Sequence, residues 1–198
     1  MISQVAGRTV IRTAFLGDEY QIAEVHIQAW QEAYKGIVPQ VYLDQLSSEI
    51  DNRVKMWKNI LANPKRWAWV AENSKGIIGF VLFGPPRDPD KESFIELGAI
   101  YLLASEKNKG IGFSLLSAGF NKMKDLGYKR AYCWVLENNP TIKFYERSGA
   151  SYAGQIKVDE IGGKNFNELD YEWNSLSIGD YNWKPKKARH QKTKSGLR

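Results

Sequence analysis

Apolar and polar positions along the chain change period several times, and each change marks an element. Residues 8–14, RTVIRTA, are short and rich in β-branched side chains, which predicts a strand. Gly17 and Asp18 then open a stretch in which Ile22, Val25, Ala29 and Ala33 recur at helical intervals. This predicts an amphipathic helix ending near Tyr34–Gly36. Residues 37–64 predict one or two further helices, with Pro39 in a first turn and Ser47 or Ser48 as a cap. RWAWVAE and GIIGFVLFG read as two strands joined by the turn NSKG. A loop, PPRDPDKE, leads into a long strand, SFIELGAIYLL.

A glycine-bearing loop follows at 105–112, then a helix running to Leu126–Gly127. Ser114, Ser117, Asn121, Lys124 and Asp125 form one narrow polar stripe on it, so most of its surface must pack. KRAYCWVLE is a further strand. NPTIKFYERSGA is a short helix with Pro140 near its start and Gly149 just past its end. YAGQIKVDEI, the turn GGK and FNELDYEW close the pattern as an antiparallel hairpin. The order β-α-α-β-β-β-α-β-α-β-β predicts one mixed sheet with helices on both faces.

Charge changes this picture at one end only. The 198 residues carry a net charge of +6, yet residues 184–198 hold seven of the 28 basic residues and no acidic ones. The remaining 21 basic residues stand against 22 acidic ones. We therefore expect a near-neutral domain over 1–183 and a basic, flexible tail over 184–198. Nucleic acid is not an expected partner, the basic tail being the one route left open to it. The near-neutral body argues against a strongly charged substrate. No apolar run approaches a membrane span and no signal-peptide pattern opens the chain, so a cytoplasmic protein is expected. Cys133, the single cysteine, lies in a strand-like apolar run and reads as a small buried hydrophobe. With two isolated histidines, His26 and His190, a metal site is not expected.

The loop SEKNKGIGF carries the candidate chemistry. A strand, a glycine-rich turn and a helix N-terminus form an anion site, because free N–H groups and the positive end of the helix dipole face the ligand. The Walker A pattern fails here, since Phe113 follows Gly112 where Lys is required. The dinucleotide pattern fails too, since Leu115 stands at the third glycine. On the residues alone, an anion site and a plain tight turn both remain open.

The surroundings extend the pattern. Lys107-Asn108-Lys109-Gly110-Ile111-Gly112 resembles the pyrophosphate loop Gln/Arg-x-x-Gly-x-Gly/Ala of the GNAT superfamily of acetyl-CoA-dependent N-acetyltransferases. NNPTIKFYERSG, starting at Asn138, is similar to a second motif of that family, with Phe144, Tyr145, Glu146 and Gly149 in place. AWQEAYKGIVPQVYL and IGGKNFNELDYEW also resemble segments of one bacterial branch. The likeness spans residues 8–174. Lys107 replaces the usual Gln or Arg and loses bidentate geometry, Asn108 replaces a frequent Gly, and Thr141 stands where Ala is common.

The resemblance implies a GNAT fold, α/β (α+β), with a mostly antiparallel sheet of six to seven strands. It implies transfer of an acetyl group from acetyl-CoA to a primary amine of a small molecule or a protein N-terminus, by direct attack in a ternary complex. It places Glu96 as general base, acting through water, and Tyr145 as proton donor to the departing thiolate. It assigns Leu102 and Leu103 to the thioester through freed backbone N–H groups, and residues 107–113 (Lys107, Asn108, Lys109, Gly110, Ile111, Gly112 and Phe113) to the cofactor phosphates. Asn138 either contacts the pantetheine arm or caps the helix together with Asn139. Trp30 and Tyr34 either line the acceptor pocket or belong to the core; Trp30 reads rather as core. Strict strand alternation puts Glu96 on one face with Gly98, Ile100 and Leu102. A monomer or homodimer fits equally. The contrasting reading is a non-catalytic CoA-binding or nucleic-acid-associated protein that keeps the fold.

Overall fold

A computed structural model describes residues 9–178. The proposed end of the domain at 183, the basic tail and His190 lie outside the described residues. Seven strands form one sheet: β1 (Val10–Thr13), β2 (Trp67–Asn73), β3 (Gly76–Gly84), β4 (Phe94–Leu102), β5 (Arg130–Leu136), β6 (Ser151–Ile161) and β7 (Lys164–Trp173). Their spatial order is β1-β2-β3-β4-β5-β7-β6. Every neighbouring pair is antiparallel except β4 and β5. The helices are α1 (Glu19–Ala33), α2 (Gln40–Gln45), α3 (Ile50–Ala62), α4 (Ile111–Asp125) and α5 (Ile142–Arg147). None of the described helices is long and apolar enough to cross a membrane.

Two cores sandwich the sheet. On one face Leu115, Leu116, Phe120 and Met123 of α4 pack with Val81, Phe83, Ile95, Leu97 and Trp173. On the other, Ile22, Ala23 and Val25 of α1 and Trp57 of α3 cover Val70, Phe80 and Leu82. A third cluster ties the far end of the β6–β7 hairpin to the first two helices: Ile161 packs with Ile27, Tyr34, Val38 and Leu43. The hairpin tip is close enough that a Cβ on Gly162 would lie 2.7 Å from Cβ of Tyr42. Gly162 also has φ +60° and Gly163 φ +76°, the left-handed pair that a two-residue hairpin turn requires.

Two expectations are corrected. The Ser47 and Ser48 hydroxyls do not cap α3. Residues 46–49 form a 3₁₀ turn, Ser48 Oγ donates to the Gln45 carbonyl, and the helix begins behind Glu49. The alternation along β4 also breaks. The rungs Leu82↔Ala99 and Phe83↔Leu97 leave Gly98 as an extra, bulged residue. Before the bulge Ile95 and Leu97 face α4; after it Ile100 and Leu102 do, while Ala99 and Tyr101 join the opposite core. Glu96 therefore shares a face with Ala99 and Tyr101, not with Ile100 and Leu102.

Candidate active site

The site grows from the one parallel contact in the sheet. β4 and β5 pair over three rungs, Phe94↔Arg130, Ile95↔Ala131 and Glu96↔Tyr132, and then part. The bulge at Gly98 lies just beyond, where it adds bend and twist to β4. From Leu97 onward the outer edge of β4 has no partner strand among the described residues. In an antiparallel ladder the N–H groups of alternate residues face the same neighbour. The Leu103 N–H donates to the Ile78 carbonyl at 3.0 Å, on the β3 side. By that parity the N–H groups of Ile100 and Leu102 point the other way, into the gap. This corrects the expectation for Leu103, whose amide is already occupied, and leaves Leu102 as the candidate donor.

The glycine loop sits at the end of the same strand. Asn108 takes φ +63° and Gly110 takes φ +82°, both left-handed. Asn tolerates this region best among residues with a side chain, which accounts for Asn108 where glycine would serve. Gly110 is the residue before α4 and its carbonyl accepts from the Ser114 N–H at 3.1 Å. The first-turn amides of α4, Ile111 and Gly112 among them, have no intrahelical acceptor and point out of the helix end. Gly112 is not left-handed; a Cβ there would meet Cε2 of Phe144 at 3.2 Å. The two glycines thus have different causes, one a turn and the other a close approach from α5. Lys109 pairs with Glu106 at 2.9 Å and Lys107 is exposed. A free strand edge with unpaired amides, leading to a left-handed loop at a helix N-terminus, suits an amide-bearing arm that ends in a diphosphate.

On the other side of the gap lies a cleft of about 320 Å³. Its walls come from α1 (Trp30, Tyr34), α2 (Tyr42), β4, the end of β5 (Trp134), α5 (Tyr145) and the β6–β7 hairpin. Trp30 and Tyr34 are core residues that also reach the wall of the cleft. Tyr34 is buried in the third core and Trp30 packs against that core, its ring 4.4 Å from that of Tyr34, and both line the cleft. The Tyr34 and Tyr101 hydroxyls are 3.1 Å apart, and burial pushes both above the ordinary tyrosine range.

Glu96 is 1% exposed and lines this cleft. Its carboxylate accepts from Arg87 Nε at 2.9 and 3.1 Å, from Arg87 Nη2, from the Arg87 backbone N–H at 3.1 Å and from the Tyr132 hydroxyl at 3.1 Å. Burial, then the adjacent Glu96 charge, hold Tyr132 protonated and so a donor. The loop that carries Arg87 is pinned further along. Trp134 Nε1 donates to Asp88 at 2.6 Å, and the buried Lys91 ammonium donates to Asp170 and Glu172. Arg87, Tyr132 and Trp134 had no signal in the sequence, because only pairing between distant strands brings them to Glu96.

Tyr145 is 8% exposed and faces the cleft with a hydroxyl that has no hydrogen-bond partner among the described residues. Burial raises its pKa well above the ordinary value, so it stays protonated. Phe144 turns the other way, its ring 5.0 Å from that of Phe113. Asn138 is exposed and does not line the cleft. The buried neighbour Asn139 does, and its Oδ1 accepts the Thr141 N–H at 2.9 Å. Neither asparagine caps α5, whose N-cap position is Thr141; the Asn139 side chain closes the turn just ahead of the helix. Cys133 is buried and its thiol is pushed well up by burial, so it is not poised as a nucleophile. His26 is buried against Trp57, Phe80 and Tyr101, with its pKa lowered to about 3 by burial and then by Arg53. It is a structural, neutral ring.

The comparisons agree with this architecture. The model of the acetyltransferase (GNAT) family matches residues 26–150. The chain is 33% identical over 169 residues to the uncharacterized N-acetyltransferase YuaI of Bacillus subtilis, covering 84% of this chain and 94% of that one. It is 28% identical to the probable N-acetyltransferase Rv2775 of Mycobacterium tuberculosis, over 81% of this chain and 91% of the relative. Among solved structures, the PaiA N-acetyltransferase of Thermoplasma acidophilum in complex with coenzyme A superposes with a TM-score of 0.65 at 22% identity, over 84% of this chain and 98% of that one. With its sheet opening beside a glycine-capped helix, and with the family's sequence pattern matched over most of its length, this chain belongs to the GNAT family of acetyltransferases.

Proposed function

We propose that the protein transfers the acetyl group of acetyl-CoA to a primary amine by direct attack, with both substrates bound at once. The observation that carries this reading is the placement of Glu96 and the unpartnered Tyr145 hydroxyl in one cleft at the opening between β4 and β5. Acetyl-CoA supplies an activated acyl group. The amides around Gly110 and the α4 N-terminus hold its diphosphate, and the free edge of β4 holds its arm. An amine with a pKa near 10 arrives as ammonium and must lose a proton before it can attack. Glu96 receives that proton. Arg87 stands over the carboxylate with 65% of its side chain exposed, so the proton travels through water at that pair. As the C–N bond forms, the Leu102 N–H stabilises the negative charge that develops on the acyl oxygen. Tyr145 donates its proton to the sulfur as the C–S bond breaks, and the hydroxyl is restored from solvent. The products are the acetamide and free CoA thiol, with one proton released to water.

An acetyl-CoA consumption assay with a pooled panel of amines tests this. Thiol release that depends on added amine, with no burst of acetylated protein, is the expected result. Acetylated protein that accumulates before amine is added would overturn direct transfer.

A further inference from the structure

Resting on that reading, we infer that the acceptor carries a second positive charge: a primary amine joined through an apolar stem to another cationic centre. The cleft is a site on independent grounds, because Tyr145, a buried residue, lines it with a hydroxyl that has no hydrogen-bond partner among the described residues, and so does Trp30, whose indole N–H is buried and unpartnered among them. Its charges are unequal. Five charge-bearing side chains face it: Arg87 and Lys157 against Glu96, Asp159 and Glu168. Both cations are already paired, Arg87 with Glu96 and Lys157 with Glu168 at 3.1 Å. Asp159 makes no ion pair among the described residues, is exposed just before the hairpin tip, and lies on the same face of β6 as Lys157 and Ile161; Glu160, the next residue of the regular ladder, turns to the opposite face.

The surplus negative charge therefore lies on the hairpin, on a different element from Glu96 at the reacting end. The same cleft is walled by Trp30, Tyr34, Tyr42 and Trp134. Aromatic walls suit a methylene stem, and their faces attract cations. The cleft already does this once within the chain: the Lys157 ammonium lies 4.5 Å from the centre of the Trp134 ring. A carboxylate in place of the distal cation would face Asp159 and be repelled. The near-neutral body pointed away from a charged acceptor, and the local charge of the cleft reverses that expectation.

The test compares three acceptors of equal chain length: 1,4-diaminobutane, n-butylamine and 4-aminobutyrate. The diamine should give the highest kcat/KM, by about five- to tenfold over butylamine, and 4-aminobutyrate the lowest. The double variant Asp159→Asn/Glu160→Gln, in which the first change removes the charge that faces the cleft, should raise KM for the diamine about two- to fivefold relative to KM for butylamine, and added salt should do the same in the parent. Equal use of butylamine, or preference for 4-aminobutyrate, overturns the inference while leaving acetyl transfer intact. Calorimetry with 1,4-diaminobutane on the CoA-saturated protein gives a readout without turnover. Diamine binding that weakens in the double variant supports the inference even if no amine is acetylated, in which case the transfer reading fails alone. No diamine binding, or binding indifferent to the variant, overturns the inference.

Discussion

Glu96 and Tyr132 face each other across the last rung that β4 and β5 share, and the Tyr132 hydroxyl donates to the Glu96 carboxylate at 3.1 Å. The residue proposed to take the proton is thus oriented by the strand that parts from it one residue later. The same hydroxyl accepts the Arg87 and Asp88 N–H groups at 3.1 and 3.4 Å, so it also holds the loop above. Tyr132→Phe keeps the ring that packs edge-on against Phe94 and removes these bonds. Stability should fall by about 1–3 kcal/mol, the cost of leaving buried polar groups short of a partner. In the assay kcat should drop about tenfold, within the span that positioning effects reach, while KM for acetyl-CoA holds. A kcat equal to the parent's would show that Glu96 does not depend on this contact.

Tyr145→Phe removes only a hydroxyl that bonds to nothing else in the described protein. We expect the melting temperature to change little and turnover to fall by roughly 10²–10⁴, the range for a lost general acid. Affinity for CoA should change by no more than one hydrogen bond, about 0.5–1.5 kcal/mol. Full activity across the pH range would make Tyr145 a packing residue.

Gly110→Glu places a side chain and a negative charge at a left-handed position beside the α4 N-terminus. The backbone strain is about 1–2 kcal/mol, which a well-packed α4 tolerates. Calorimetry should show CoA binding lost while the circular dichroism spectrum persists. Gly112→Ala probes a different contact. Its Cβ must displace the Phe144 ring by a few tenths of an ångström, so it should lower stability more than it weakens phosphate binding. Unchanged CoA affinity in Gly110→Glu would remove the loop from the site.

His26 predicts a pH dependence of stability. Its folded pKa is about 3, below the ordinary 6.5. Between those values the unfolded chain binds a proton that the folded one does not. The stabilisation is therefore full above about pH 6.5 and is lost as pH falls toward 3, by at most about 1.4 kcal/mol per pH unit. Urea midpoints at pH 7.5 and 5 should differ accordingly. The difference should shrink in His26→Gln, whose amide oxygen keeps an acceptor for the Trp57 indole N–H. An equal slope in both proteins would assign the dependence to other groups.

Local chemistry wrote much of this protein legibly. Gly110, Asn108, Gly149 and the Gly162-Gly163 turn stand where a few bonds of backbone require left-handed conformations, and residue type alone predicts them. Helices α1 and α4 and hairpins β2–β3 and β6–β7 announce themselves by period and turn residues. The Lys107–Gly112 loop and the Tyr145 motif stood out as short runs resembling family motifs, and Glu96 was singled out by its position in that resemblance.

What only the folded chain decided depends on partners far apart in sequence. The bulge at Gly98 exists in the register of β4 against β3, and it moved Glu96 to the face of Tyr101. Leu103 lost its free amide to Ile78 for the same reason. Arg87, Trp134 and the carboxylates of the hairpin reach the cleft, and Tyr132 reaches Glu96, from separate elements. Their convergence follows from the parting of β4 and β5 and from the packing of Ile161 and Gly162 onto α1 and α2. Periodicity records which side of its own element a residue occupies. It does not record which other element lies opposite, and the chemistry of this cleft is set by the elements that lie opposite.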